Sequence, residues 1–147
     1  MAEADRVNKE NSRQVELKVL FPWGLPGLED YQEFTLNSLG QDSHFCFLQA
    51  VKQEGIGLLL VNPYGFFDNY EFDLSEEIAV QLKIDDENQV VVLCTLNTSQ
   101  GIGAATVNLL APIIINTEQL LAKQVVLNNQ KYSLRTPIKI GAKKEER

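Results

Sequence analysis

The sequence holds one histidine, His44, and two cysteines, Cys46 and Cys94, 48 positions apart. His44 opens an apolar run, HFCFLQAV. A Ser-His-Asp arrangement needs a base held beside a nucleophile, and nothing around His44 signals one, so it reads as a strand-edge histidine. One histidine and two distant cysteines do not assemble a zinc set, and Asp85-Asp86-Glu87 lacks the Asp-x-Asp-x-Asp-Gly spacing of a calcium loop. No metal and no cofactor are expected. The cysteines read as two buried reduced thiols, with a disulfide or redox pair as the other reading. Glu29-Asp30, Asp68, Glu71 and Asp73 could pair as acid and base, as in glycosidases, but acids gathered in turns are ordinarily just solvated. Gly55-x-Gly57 and Gly101-x-Gly103 are not followed by Lys-Ser or Lys-Thr, so they read as hairpin turns rather than phosphate loops. No catalytic residue is expected, and a small β-barrel hydrolase is the minor reading.

The most informative stretch is Val61 to Leu74, VNPYGFFDNYEFDL. It holds Tyr64, Phe66, Phe67, Tyr70 and Phe72, five of the twelve aromatic residues, with Asp68, Glu71 and Asp73 interleaved and no base. Two readings stand: Phe66, Phe67 and Phe72 cap the end of a barrel, or the segment is a binding rim whose aromatics supply area and whose acids set partner charge. Both can hold for different residues.

The charge supports a protein partner over a nucleic acid. Of 147 residues, 20 are acidic and 13 basic, for a net charge of −7. Residues 29–119 carry 14 acids against only Lys52 and Lys83, a net of −12, whereas residues 120–147 carry +5. A middle section this acidic repels phosphate backbones and anionic membranes; a basic protein would be attracted to it. The polar N-terminus lacks a signal-peptide core. The longest apolar runs, Ile56–Val61 and Leu109–Ile115, fall far short of the roughly 20 residues of a membrane helix. A cytoplasmic protein is expected.

These residues need positioning, and the hydrophobic pattern says by what. Its period is mostly two: Val15, Leu17 and Val19, then Phe34 and Leu36, then His44–Val51, Ile56–Val61, Val90–Leu96, Thr106–Leu110, Ile113–Asn116 and Gln124–Leu127. Eight short strands imply a mainly β fold, a small antiparallel β-barrel-like domain. One short helix is expected after Ser75, which can cap it, with Glu76 and Glu77 in the first turn and Ile78, Ala79 and Leu82 as its apolar stripe. Asp85-Asp86 would end it, and a further helical turn is possible at Thr117–Leu121. Pro112 must sit at a bulge, a strand start or an edge. The organisation reads as a polar arm over residues 1–13, a single domain over 14–140 and a charged tail over 141–147.

Four motifs carry a family resemblance. FPWGLPGLED resembles the FP-x-G-I/L-PG-F/L-ED signature of the bacterial flagellar assembly factor family FliW. VNPYGFFDNYEFDL resembles that family's VNP-x-x-F-x-DYEFDL segment, here with Asn69 between Asp68 and Tyr70. ATVNLLAPIIIN and KQVVLNNQKYSLRTPI are similar to its last two blocks, so the resemblance runs in order from Val15 to Ile138. It implies a cytoplasmic, non-catalytic, barrel-like protein that binds the translational repressor CsrA and relieves repression of flagellin mRNA. It also implies binding to flagellin, near the flagellin C-terminal region, so that free flagellin titrates the antagonist. A flagellin-specific chaperone without CsrA binding is the alternative. The expected partner-binding residues are Asn62, Pro63, Phe66, Asp68, Tyr70, Glu71 and Asp73, with Asn108, Ala111 and Pro112 nearby. For Asn108 and Pro112 a structural role competes, Asn108 serving turn backbone and Pro112 an edge; the backbone beside Pro112 could alternatively accept a partner strand.

Overall fold

A computed structural model describes residues 16–40 and 43–140 of the chain. Val15, the arm over residues 1–13 and the tail over 141–147 lie outside the described residues. Strands β1 (Glu16–Leu20), β2 (Glu33–Ser38), β3 (Phe45–Ala50) and β4 (Gly57–Val61) form an antiparallel meander. β4 then pairs with β5 (Val90–Asn97), β5 with β7 (Ile113–Asn116), and β7 with β8 (Leu121–Gln124), all antiparallel. β8 meets β1 in parallel at Leu20 and Leu121, which closes a barrel of seven strands. β6 (Thr106–Val107) and β9 (Thr136–Pro137) form a short ribbon attached to the far end of β5. The mainly β, barrel-like expectation holds, with one parallel seam.

The alternation of side chains divides the molecule into two cores. Val19, Phe34, Leu36, Leu48, Leu60, Leu93, Ile113 and Ile115 point into the barrel. Phe21 and Leu25 of FPWGLPGLED join them, fully buried, with Phe21 edge-on to Phe34 at 5.3 Å. Two turns make this possible, with Gly24 and Gly27 at φ of +79° and +88°, a region glycine enters at no steric cost. The opposite parity of the same wall, Leu59 and Val61 on β4 and Val92, Cys94 and Leu96 on β5, faces outward. Those residues are covered by Phe66, Phe67, Tyr70 and Phe72, by Val107 and Leu109, and by Tyr132 and Ile138. The sequence placed the phenylalanines at a barrel end or on a rim; the structure lays them along the barrel's flank. The period-two signal shows only one face of a strand at a time, so it did not reveal that β4 and β5 bury both.

Other differences have local causes. Helix α1 spans Glu76–Gln81, with Ser75 Oγ accepting from the Ile78 N–H as expected. It ends before Asp85: Lys83 takes φ +56°, and the Lys83 and Ile84 N–H groups donate back to the Val80 and Ala79 carbonyls. Thr117–Leu120 is the turn of the β7–β8 hairpin, closed like one helical turn by the Leu120 N–H donating to the Asn116 carbonyl, and Leu121 already belongs to β8. The last barrel strand is Leu121–Gln124, earlier than Gln124–Leu127, because register with β7 sets it. Only Thr106–Val107 of the expected Thr106–Leu110 strand pairs, and the two-residue β9 carries no periodicity to read.

Asn116 joins these pieces. It is completely buried; its Nδ2 donates to the Leu82 and Lys83 carbonyls at 2.8 and 3.0 Å, and its Oδ1 accepts from the Glu118 and Gln119 N–H groups. One side chain therefore satisfies the end of α1 and the start of the hairpin turn. Asn116→Ala strands four backbone groups, and unpaired buried polar groups cost about 1–3 kcal/mol each before relaxation. We expect a loss of roughly 2–4 kcal/mol by urea denaturation; a loss below about 0.5 kcal/mol would refute this role.

Candidate functional site: an aromatic strap beside an acidic groove

Residues 62–74 run as a strap along the flank of β4 and β5. Asn62 Oδ1 accepts from the Tyr64 N–H at 3.0 Å, which starts a 3-10 turn with buried Pro63 at its first position. Phe66 sits between His44 and Phe45, with ring centroids 5.6 and 5.8 Å away. A Cβ at its neighbour Gly65 would lie 2.6 Å from the His44 ring, so a larger residue there has to push that exposed ring aside. Tyr70 is the anchor: buried, it packs against Tyr64, Phe72 and Tyr132 and donates its hydroxyl proton to the Leu109 carbonyl at 2.7 Å. The Tyr132 hydroxyl accepts from the Glu71 N–H at 3.0 Å and donates to the Glu71 carbonyl at 2.9 Å. With its backbone held on one side, Glu71 is exposed, as are Asp68 and Asp73.

The ten residues singled out from the sequence therefore separate by position. Asp68, Glu71 and Asp73 are displayed to solvent; Pro63, Tyr70, Ala111 and Pro112 are buried; Asn62, Phe66 and Asn108 are half-buried. Asn108 Oδ1 accepts from the Leu110 and Ala111 N–H groups at 3.0 Å, so it shapes a turn. The Ala111 carbonyl accepts from Gln124 Nε2 and the Pro112 carbonyl from the Val125 N–H. The edge suspected beside Pro112 is thus occupied by residues 125–127 of the chain itself. The Tyr70–Leu109 hydrogen bond does bring the strap and the 108–112 turn together.

Next to the strap lies a groove of about 840 Å³ that the sequence did not reveal. Its floor includes Leu17, Leu36, Cys46, Val91 and Leu93, and its rim carries Asp73, Asp85, Asp86 and Glu87, all exposed. No periodic signal links positions so far apart. The one trace of it in the sequence is the Asp85-Asp86-Glu87 run, which reads there as a helix end and lacks the spacing of a calcium loop. Among the described residues no three His, Cys, Asp or Glu side chains are grouped to hold a metal ion.

The two cysteines are free and lie on opposite faces of the barrel wall, Cys46 against the inner core and Cys94 in the flank core, which overturns the disulfide reading. Burial pushes the Cys94 thiol up to about 12, with its hydrogen bond to the Tyr70 oxygen (3.9 Å) opposing in part. Burial also raises Cys46 and, together with Cys94, holds Tyr70 far above the ordinary phenol range. On the surface, Glu29 is lowered, chiefly by the Gly27 N–H donating to it.

A small closed β-barrel with a strap along one flank and an acid-rimmed groove beside it is the class that these features define. A profile of the FliW protein family matches residues 4–138. A flagellar assembly factor FliW of Bacillus subtilis (strain 168) is 42% identical over 120 residues, covering 82% of this chain and 84% of its own. A protein of the same name from Clostridium botulinum (strain Langeland) is 34% identical over 120 residues, with the same coverage. Among solved structures, a crystal structure of the flagellar assembly factor FliW superposes with a TM-score of 0.74 at 35% identity, covering 82% of this chain and 84% of that one. The chain belongs to the FliW family.

The buried acids set a pH response. A thiol or phenol whose folded pKa is raised stabilises the fold while the unfolded form is still protonated, and this contribution is lost as pH climbs between the two values. For Cys94 that window runs from 9.0 to about 12. The urea midpoint should stay level from pH 7 to 8.5 and fall steadily above pH 9. A midpoint still level at pH 10.5 would contradict it.

Proposed function

We propose that this chain acts as a flagellar assembly factor that binds the translational repressor CsrA in the cytoplasm and relieves repression of flagellin mRNA, and that flagellin, through its C-terminal region, titrates it. The relatives named above carry the flagellar assembly role in their names. The observation that most supports a CsrA-type partner is the strap: buried Tyr70 and Tyr132 fix a backbone whose Asp68, Glu71 and Asp73 all point to solvent with no base among them. An RNA-binding repressor presents a basic surface to hold phosphates. A segment with net charge −12 over residues 29–119 attracts that surface and repels RNA. Nothing in this reading calls for catalysis, cofactor or metal, and direct contact with nucleic acid or membrane is not part of it.

The test uses purified CsrA and flagellin separately. Both should be captured by the chain, each should reduce capture of the other, and the CsrA complex should weaken between 50 and 500 mM salt as surface charge is screened. Capture of flagellin alone would leave a flagellin-specific chaperone. Reversing Asp68, Glu71 and Asp73 to Lys should slow CsrA association about tenfold or more while the melting temperature changes little, because these side chains are exposed. An unchanged on-rate would move the interface off the strap.

A further inference from the structure

β5 outruns its neighbour. The β4–β5 ladder is two pairs long, Leu60 with Thr95 and Val61 with Cys94, and then the chain turns away at Asn62 and Pro63. β5 continues over Val90–Leu93 with β7 along one side and the groove along the other. The direction of each backbone group follows from the antiparallel pattern, in which consecutive residues turn their N–H and C=O groups to opposite sides. The Thr117 N–H donates to the Gln89 carbonyl at 2.8 Å, so Gln89, Val91 and Leu93 face β7. Val90 and Val92 face the groove. The Val90 N–H is taken by the Glu87 carbonyl. Among the described residues nothing pairs with the Val90 carbonyl or with either backbone group of Val92, which together form a strand edge.

The surroundings of this edge suit one kind of occupant. Side chains on either side of an added strand would meet an apolar floor that includes Leu17, Leu36 and Leu93, and a rim carrying four carboxylates and, among the described residues, no Lys or Arg. Backbone pairing supplies affinity without sequence, and alternate side chains supply the choice of partner. A second copy of this chain would bring the same acidic surface and be repelled.

We propose that the groove receives an extended, basic and apolar segment of a partner protein, which adds as a strand to the Val90–Leu93 edge of β5. This deepens the partner-binding reading above and rests on it only for the existence of such a partner. The four-residue edge is about 13 Å long, so the recognised core is a short alternating segment. The backbone beside Pro112, on the opposite side of β5, is already taken by residues 125–127 of the chain.

The probe is a labelled peptide, acetyl-(Lys-Val)4-amide, with acetyl-(Glu-Val)4-amide as its charge-reversed counterpart. Anisotropy should show the lysine peptide binding the full chain at least tenfold more tightly. Saturation should slow exchange of the Val92 amide, followed by NMR, at least tenfold. Asp73→Lys with Glu87→Lys should weaken binding at least tenfold without lowering the melting temperature by more than a few degrees. Val92→Pro removes the groove-facing donor and should abolish binding if it folds; the double reversal decides if it does not. Failure of the lysine peptide to bind, equal binding of the glutamate peptide, or binding that leaves Val92 exchange unchanged would overturn the proposal. Capture of CsrA and flagellin is scored separately, so a groove that fails leaves the strap's role standing, and a groove that binds survives the loss of either named partner.

Discussion

Two adjacent strands, β4 and β5, are apolar on both faces, and most of the molecule's unusual features are answers to that. A barrel needs only its inward residues to be greasy; Leu59, Val61, Val92, Cys94 and Leu96 on the outside leave a flank that water would contact unfavourably. The chain covers it with the 62–74 strap, the β6–β9 ribbon and Tyr132. The cover is held where a polar group has to be satisfied inside it, by the Tyr70 hydroxyl on the Leu109 carbonyl. No described side-chain nitrogen or oxygen that is buried lacks a partner. The second core is therefore as well made as the first, although it lies outside the barrel.

This division explains why the acids lie where they do. A segment that packs Phe66, Phe67, Tyr70 and Phe72 against the flank turns the residues between and just after them outward, and those are Asp68, Asn69, Glu71 and Asp73. Adhesion to the barrel and display of charge are two faces of one alternation. The groove arises from the same economy: where the strap leaves the sheet at Pro63, β4 stops and β5 carries on with β7 on one side only.

The strands inside the barrel were legible because each buries one face. Val19, Phe34, Leu36 and Leu48 show the period directly, and Ser75 with Glu76 and Glu77 announced α1 by capping chemistry. Legibility failed where long-range pairing decided the outcome. Register with β7 moved the last barrel strand to Leu121–Gln124, and Asn116 placed the end of α1 from 33 residues away. Of the expected site, the three displayed acids and the link from strap to 108–112 turn could be read from VNPYGFFDNYEFDL and ATVNLLAPIIIN. The burial of Pro63, Tyr70, Ala111 and Pro112 could not, since a motif names residues without saying which side they face. Tyr132 meets Glu71 across 61 positions and the groove gathers residues from Leu17 to Leu93, so the motif around Tyr132 and the Asp85-Asp86-Glu87 run do not by themselves say what they face.

The parallel seam between Leu20 and Leu121 has a consequence in time. The strand that begins the described domain waits for a partner 101 positions downstream. At about 5–20 residues per second on the ribosome, several seconds separate the synthesis of β4 from that of Leu121, and a meander of β1 to β4 formed in that interval would be an open sheet. During that interval its outer strand β1 lacks its neighbour, and the apolar flank of β4 lacks β5. Such a sheet would have two unsated edges, and the acidic residues scattered from Glu29 onward would give it a charge that discourages it from meeting its own kind.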